Sequence, residues 1–131
     1  MKKHLFLFLA MISVSGIFAL NPPANPKVEV YYFHFTRRCT TCQNVENESK
    51  KAVETLYPDQ IKKGVIIFQS VNLDEKEGEV MGKKYGIEGQ TLIVISGSKR
   101  VDLTDKGFLY ANSRPEKLQA EIKKAVDPML K

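Results

Sequence analysis

Cys39 and Cys42 are the only cysteines in this 131-residue chain, and they stand three apart in the stretch TRRCTTC, Thr36 to Cys42. On a helix that spacing places both side chains on one face, where two thiols can close to a disulfide and reopen with two electrons. Arg37 and Arg38 come directly before Cys39. Cationic neighbours favour a thiolate over a thiol, so Cys39 is expected to be the attacking sulfur, with Arg37 and Arg38 tuning it. Cys42, one turn further in, is expected to be the resolving sulfur. Stabilising the reduced thiolate makes the disulfide a better oxidant, with ~30 mV corresponding to about 1.4 kcal/mol for this couple. A purely structural bridge is the weaker use of such a pair, because a two-residue spacer closes almost no loop. Metal binding needs more ligands than are nearby: only His34 stands close, and inside an apolar run it reads as a core residue. No metal and no other cofactor is expected.

The elements around the pair follow from periodicity. Val28 to Phe35, VEVYYFHF, is nearly continuous in β-branched and aromatic residues, which predicts a central strand buried on both faces. From Thr40 to Tyr57 apolar and small residues recur at Cys42, Val45, Ser49, Ala52, Val53 and Leu56, predicting an amphipathic helix that Pro58 helps to stop. The cysteines thus fall where a strand becomes a helix. The partial positive charge and free amides of a helix N-terminus favour a thiolate there.

A second strand is predicted over Val65 to Leu73, parallel to the first through a right-handed crossover. Asp74 with Glu77 reads as a capping pair opening a short helix that ends at Tyr85 and Gly86. Strands over Thr91 to Ser96 and Arg100 to Leu103, joined by SGSK, should be antiparallel. Asp105 to Asn112, containing Phe108 and Tyr110, reads as a packed loop. Ser113 with Glu116 suggests a capping box, with Pro115 in the first turn of a last helix striped by Leu118, Ile122, Ala125, Val126 and Met129. The predicted order is βαβαββα, an α/β domain with a mixed sheet flanked by helices.

Length and composition fit a single globular domain. Lys2 and Lys3 precede an apolar run from Leu5 to Leu20, sixteen residues against the ~20 of a spanning helix. This pattern predicts a signal peptide over 1–19, a proline-rich linker over 20–26 and a domain over 27–131, hence a periplasmic or secreted protein. His4 would be lost with the signal, and contact with a membrane is expected only if that segment stays uncleaved. Without Lys2 and Lys3 the chain keeps 18 basic residues against 15 acidic ones. That balance is too mild to suggest nucleic-acid binding, and the lysines alternate with glutamates as on a solvated face. A monomer is expected.

A CxxC at the end of the first core strand in this order resembles the thioredoxin fold. The segment VNLDEKEGEVMGKKYGIEGQTLIVI, with Tyr85, Gly86, Ile87, Gly89 and Thr91, is similar to the thioredoxin stretch leading into the third strand, and the likeness spans about residues 27 to 130. Within that superfamily, EVYYFHFTRRCTTC and VNLDEKEGE look like a group of small exported CxxC proteins labelled as nitrophenyl-compound nitroreductase subunits, the ArsF-type group. Three departures stand out. Thioredoxins carry a tryptophan before the first cysteine and glycine and proline between the pair, where this chain has Arg38, Thr40 and Thr41. The family's cis-proline before the third strand is replaced by Gln90, followed by Thr91, so the resemblance makes these two the substrate-binding positions. The family's buried proton-relaying aspartate aligns with Phe33, six residues before Cys39.

The function expected from the sequence is that of an exported thiol:disulfide oxidoreductase exchanging electrons with protein thiols and an electron-transfer partner. Two alternatives remain open: a non-catalytic accessory subunit of a redox or detoxification complex, and a dithiol carrier of metals or metalloids.

Overall fold

The computed structural model describes residues 25–131, so the expected signal segment and most of the linker lie outside the described residues. Four strands form one mixed sheet in the order β2-β1-β3-β4. Strand β1, Val28–His34, pairs in parallel with β2, Ile66–Asn72, from Val28 opposite Ile66 to His34 opposite Asn72. Its other edge pairs antiparallel with β3, Thr91–Ser96, and β3 pairs antiparallel with β4, Lys99–Asp102. All of β1 except Glu29 is buried, as its unbroken apolarity anticipated.

The two sheet faces have separate cores. On one face Val28, Val30 and Tyr32 pack with Val45, Ala52 and Val53 of helix α1, Thr40–Leu56. Leu118, Ile122, Ala125 and Val126 of helix α5, Pro115–Val126, complete that core. On the other face Tyr31, Phe33, Ile93 and Ile95 pack with Val71, Ile87 and the half-buried Met81 and Tyr85 of helix α3, Lys76–Tyr85. Gly86 ends α3 in the left-handed conformation, φ 67°, which glycine adopts without Cβ strain.

The structure departs from the sequence reading at several points. A second helix, α2, Pro58–Lys62, follows α1 where a loop was expected. Pro58 stops α1 but also suits the first turn of the next helix, where no amide is needed. The stretch read as a packed loop contains helix α4, Thr104–Tyr110, with Gly107 against Val45, while Phe108 and Leu109 face outward. Neither capping box forms. Glu75 caps α3 and Arg114 caps α5, both without a side-chain cap bond. Asp74 is engaged elsewhere, and Ser113 lies in a turn that closes by Arg114 N–H donating to the Tyr110 carbonyl at 2.8 Å. After α5 a 3-10 turn, Asp127–Leu130, ends the fold. There Tyr57, the C-cap of α1, donates its hydroxyl to Asp127 Oδ1 at 2.6 Å.

Helix α3 approaches the end of β2 so closely that a Cβ on Gly78 would lie 1.8 Å from the Asn72 carbonyl oxygen. Backbone atoms cannot yield as a flexible side chain can, so the helix itself would have to move. Gly78→Ala should therefore cost at least ~2 kcal/mol. Urea unfolding of the variant checks this, and an unchanged midpoint would contradict the close packing.

Candidate functional site

Cys39 is the N-cap of α1, with extended backbone at φ −74° and ψ 166°. Its sulfur accepts the Cys42 N–H at 3.2 Å, so it does what a serine or aspartate does at an ordinary cap. The two cysteines are joined as a disulfide with Cα atoms 5.1 Å apart. Their accessibility differs sharply: Cys39 is exposed, whereas Cys42 is only 3% exposed. A partner molecule can reach the first sulfur and not the second.

The approach to Cys39 is fastened to the β2–α3 turn. The Thr36 N–H donates to Asp74 Oδ2 at 2.7 Å, and Asn72 Nδ2 donates to Thr36 Oγ1 at 3.0 Å. Asn72 Oδ1 in turn accepts the Asp74 N–H at 3.0 Å, and Leu73 N–H donates to the His34 carbonyl at 2.7 Å. On the other side, the spacer is tied to the turn after α4. Asn112 donates from Nδ2 to Thr41 Oγ1 at 2.8 Å and accepts from Asn44 Nδ2 at 2.7 Å.

The two arginines behave differently. Arg37 is exposed and has no acidic partner among the described residues, whereas Arg38 forms an ion pair through Nη1 with Glu46 Oε2 of α1. With Thr36 and Cys39 they line a shallow surface depression beside the exposed sulfur. His34 is buried, stacks on Tyr32 at a ring separation of 6.1 Å, and donates from Nδ1 to the Phe35 carbonyl at 2.8 Å, as a core histidine would. Among the described residues no three His, Cys, Asp or Glu side chains gather into a metal-binding group.

Gln90 sits just before β3 and accepts the Tyr32 hydroxyl hydrogen through Oε1 at 3.0 Å. Thr91 opens β3 opposite Phe33 and donates its hydroxyl to the Gly89 carbonyl at 2.9 Å. No peptide bond among the described residues is cis. Phe33 turns to the α3 face, so the aromatic residue facing the α1 side is Tyr32, which carries a polar handle. Burial raises the Tyr32 phenol to about 12, and the nearby Arg38 charge partly offsets that rise.

No protein-family model matches the sequence, and no curated protein does. Solved structures match by shape. The germline-specific thioredoxin Deadhead of Drosophila melanogaster superposes with a TM-score of 0.50 at 18% identity, covering 76% of this chain and 82% of that one. Human ERp44 gives 0.53 at 15% identity, covering 93% of this chain and 30% of that longer one. Thioredoxin f2 of Chlamydomonas reinhardtii gives 0.49 at 18%, covering 79% and 82%. The chain has a thioredoxin fold.

Within this thioredoxin fold, the disulfide stands where β1 hands over to α1. The structure brings Arg37 and Arg38 to the rim of Cys39, while Gln90 is anchored to β1 through Tyr32. Sequence reasoning missed Asn112, Asn44 and Glu46, because each acts through a partner on another element or two helical turns away. Asp74 was noticed, but as a cap rather than as the acceptor for Thr36.

Tyr32 gives a pH signature. In the folded protein it keeps its proton up to about 12, against 10.0 for an unperturbed phenol, so the stability it contributes is intact below pH 10 and is lost as pH climbs toward 12. Tyr31 and Tyr57 are raised in the same direction, by burial first and then by their acidic neighbours Glu29 and Asp127. Urea midpoints measured between pH 9 and pH 12 should fall above pH 10, and fall less in Tyr32→Phe. Equal slopes in the two proteins would contradict the assignment.

Proposed function

We propose that the protein is an exported thiol:disulfide oxidoreductase that exchanges disulfides with protein thiols through Cys39 and Cys42. The observation that carries this is the unequal pair: an exposed sulfur capping a helix and a buried one within bonding reach. In the reduced protein the Cys39 thiolate attacks one sulfur of a substrate disulfide, forming a mixed disulfide and expelling the other substrate sulfur, which takes a proton from water. Cys42 then loses its proton to water, attacks the Cys39 sulfur, and releases the second substrate thiolate, which also takes a proton from water. The substrate gains two electrons and two protons, and the protein is left as the disulfide. A dithiol partner restores it by the reverse sequence.

The helix cap and the exposed Arg37 favour the reduced thiolate, which leans the pair toward oxidising its partners. The depression lined by Thr36, Arg37, Arg38 and Cys39 is where the partner sulfur would approach, and Gln90 and Thr91, where β3 starts opposite Phe33, would position the partner chain. Export is supported by the charged start and apolar run over residues 2–20. The finer grouping with nitrophenyl-compound nitroreductase subunits of the ArsF type rests on EVYYFHFTRRCTTC and VNLDEKEGE, the strand, loop and turn that meet at Thr36 and Asp74.

Two measurements test the proposal. Iodoacetamide alkylation of reduced Cys39 should titrate with a midpoint well below the ~8.5 of a free cysteine. Cys42→Ser, which blocks resolution, should accumulate mixed disulfides through Cys39 with disulfide-bearing proteins of the exported fraction. A midpoint at or above ~8.5 together with no trapped partner would favour a non-catalytic accessory subunit, and stoichiometric metal binding lost with either cysteine would favour a carrier.

A further inference from the structure

Cys39 stands next to three sources of positive potential: the α1 N-terminus, Arg37 and Arg38. One of the three is already engaged. Arg38 pairs with Glu46, and their side chains are only 23% and 18% exposed, so the pair is screened less than a surface contact. Glu46 lies seven residues beyond the cap, about 10 Å of helix rise along α1. Its side chain tilts back toward the N-terminus, and its carboxylate offsets the charge of the guanidinium that lines the depression beside Cys39. The guanidinium also lies close enough to Tyr32, beneath α1, to act on its phenol. Asp74, on the β2–α3 turn beside the site, is engaged by the Thr36 amide.

We propose that Glu46 is a positioning residue that pairs with Arg38 and offsets its charge, keeping the disulfide a weaker oxidant than the helix cap and two arginines would make it. This rests on the thiol:disulfide reading of the pair. Reduction of the disulfide takes two electrons from a partner dithiol, which becomes a disulfide and releases two protons; one goes to Cys42 and the other to water, and Cys39 remains a thiolate. Only that thiolate carries a new charge. Any gain in uncompensated positive charge at Arg38 shifts the equilibrium to the reduced protein.

The test uses the full chain equilibrated with a glutathione series, with Cys39 alkylation followed against pH. Glu46→Gln should move the equilibrium at least about threefold toward the reduced protein, roughly 14 mV to higher potential, and lower the alkylation midpoint. Glu46→Asp, which keeps the charge, should stay close to the unaltered protein and guards against a folding artefact. In an Arg38→Met background the Glu46→Gln shift should shrink to less than half. No shift, or a shift toward the disulfide, overturns the proposal. An undiminished shift without Arg38 overturns it too, because Glu46 would then act on the sulfur directly. If the unaltered protein fails to exchange with glutathione at all, the oxidoreductase reading falls first and this inference with it.

Discussion

A single hydrogen bond, from the Cys42 amide to the Cys39 sulfur, is the contact on which the site depends. It exists only because β1 ends and α1 begins within the five residues Phe35 to Cys39. The strand is held on both edges and both faces, so its end point is fixed by the sheet rather than by the loop. Helix α1 is fixed from beneath by Val45, Ala52 and Val53, and from its side by α5. Between these two rigid bodies the loop has little freedom left. Asp74 and Asn72 remove more of it by satisfying Thr36, whose polar groups would otherwise bond water.

Magnitudes rank the electrostatic influences on the exposed sulfur. A group at a helix terminus gains roughly 0.3 to 1 kcal/mol from the dipole when exposed, and up to about 2 in partly buried geometry. An exposed charge such as Arg37 contributes less than ~1 kcal/mol once water and salt screen it. The cap therefore dominates, and the arginines modulate. Arg38 has lost part of even that role to Glu46, so counting arginines in the sequence overstates the positive field at the sulfur.

The parts of this arrangement that were legible in the sequence are those governed by local pattern. The unbroken apolarity of VEVYYFH marked a strand covered on both faces, and the spacing of Val45, Ala52 and Val53 marked the inner side of α1. The parallel β1–β2 pairing followed from the helical crossover and the antiparallel β3–β4 pairing from the tight turn, whereas the antiparallel β1–β3 pairing joins strands far apart in the chain and was not read. What was not legible depends on partners far apart in the chain. Asp74 reads as a helix cap until the Thr36 amide, 38 residues earlier, is seen to take its carboxylate. Asn112 reads as a loop residue until it is found bridging Thr41 and Asn44. Helix α4 was hidden because TDKGFLY contains a glycine and an outward Phe108 and Leu109, which blur its periodicity; Gly107 is there to let the helix lie against Val45. Counting back six residues from Cys39 pointed to Phe33, but the pleat turns Phe33 to α3 and leaves Tyr32 on the side of α1.

The difference in exposure between the two sulfurs also bears on chemical damage. A peroxide meeting the reduced protein encounters Cys39 at the surface, while Cys42 is shielded at 3% exposure. The sulfenic acid formed on Cys39 would find a second thiol on the next turn of the same helix, with Cα atoms 5.1 Å apart in the closed pair. Condensation to the disulfide expels water and stops the oxidation at a reversible stage, before sulfinic acid can form. In that event the buried cysteine would act as a safeguard, one that no reagent has to enter the protein to use.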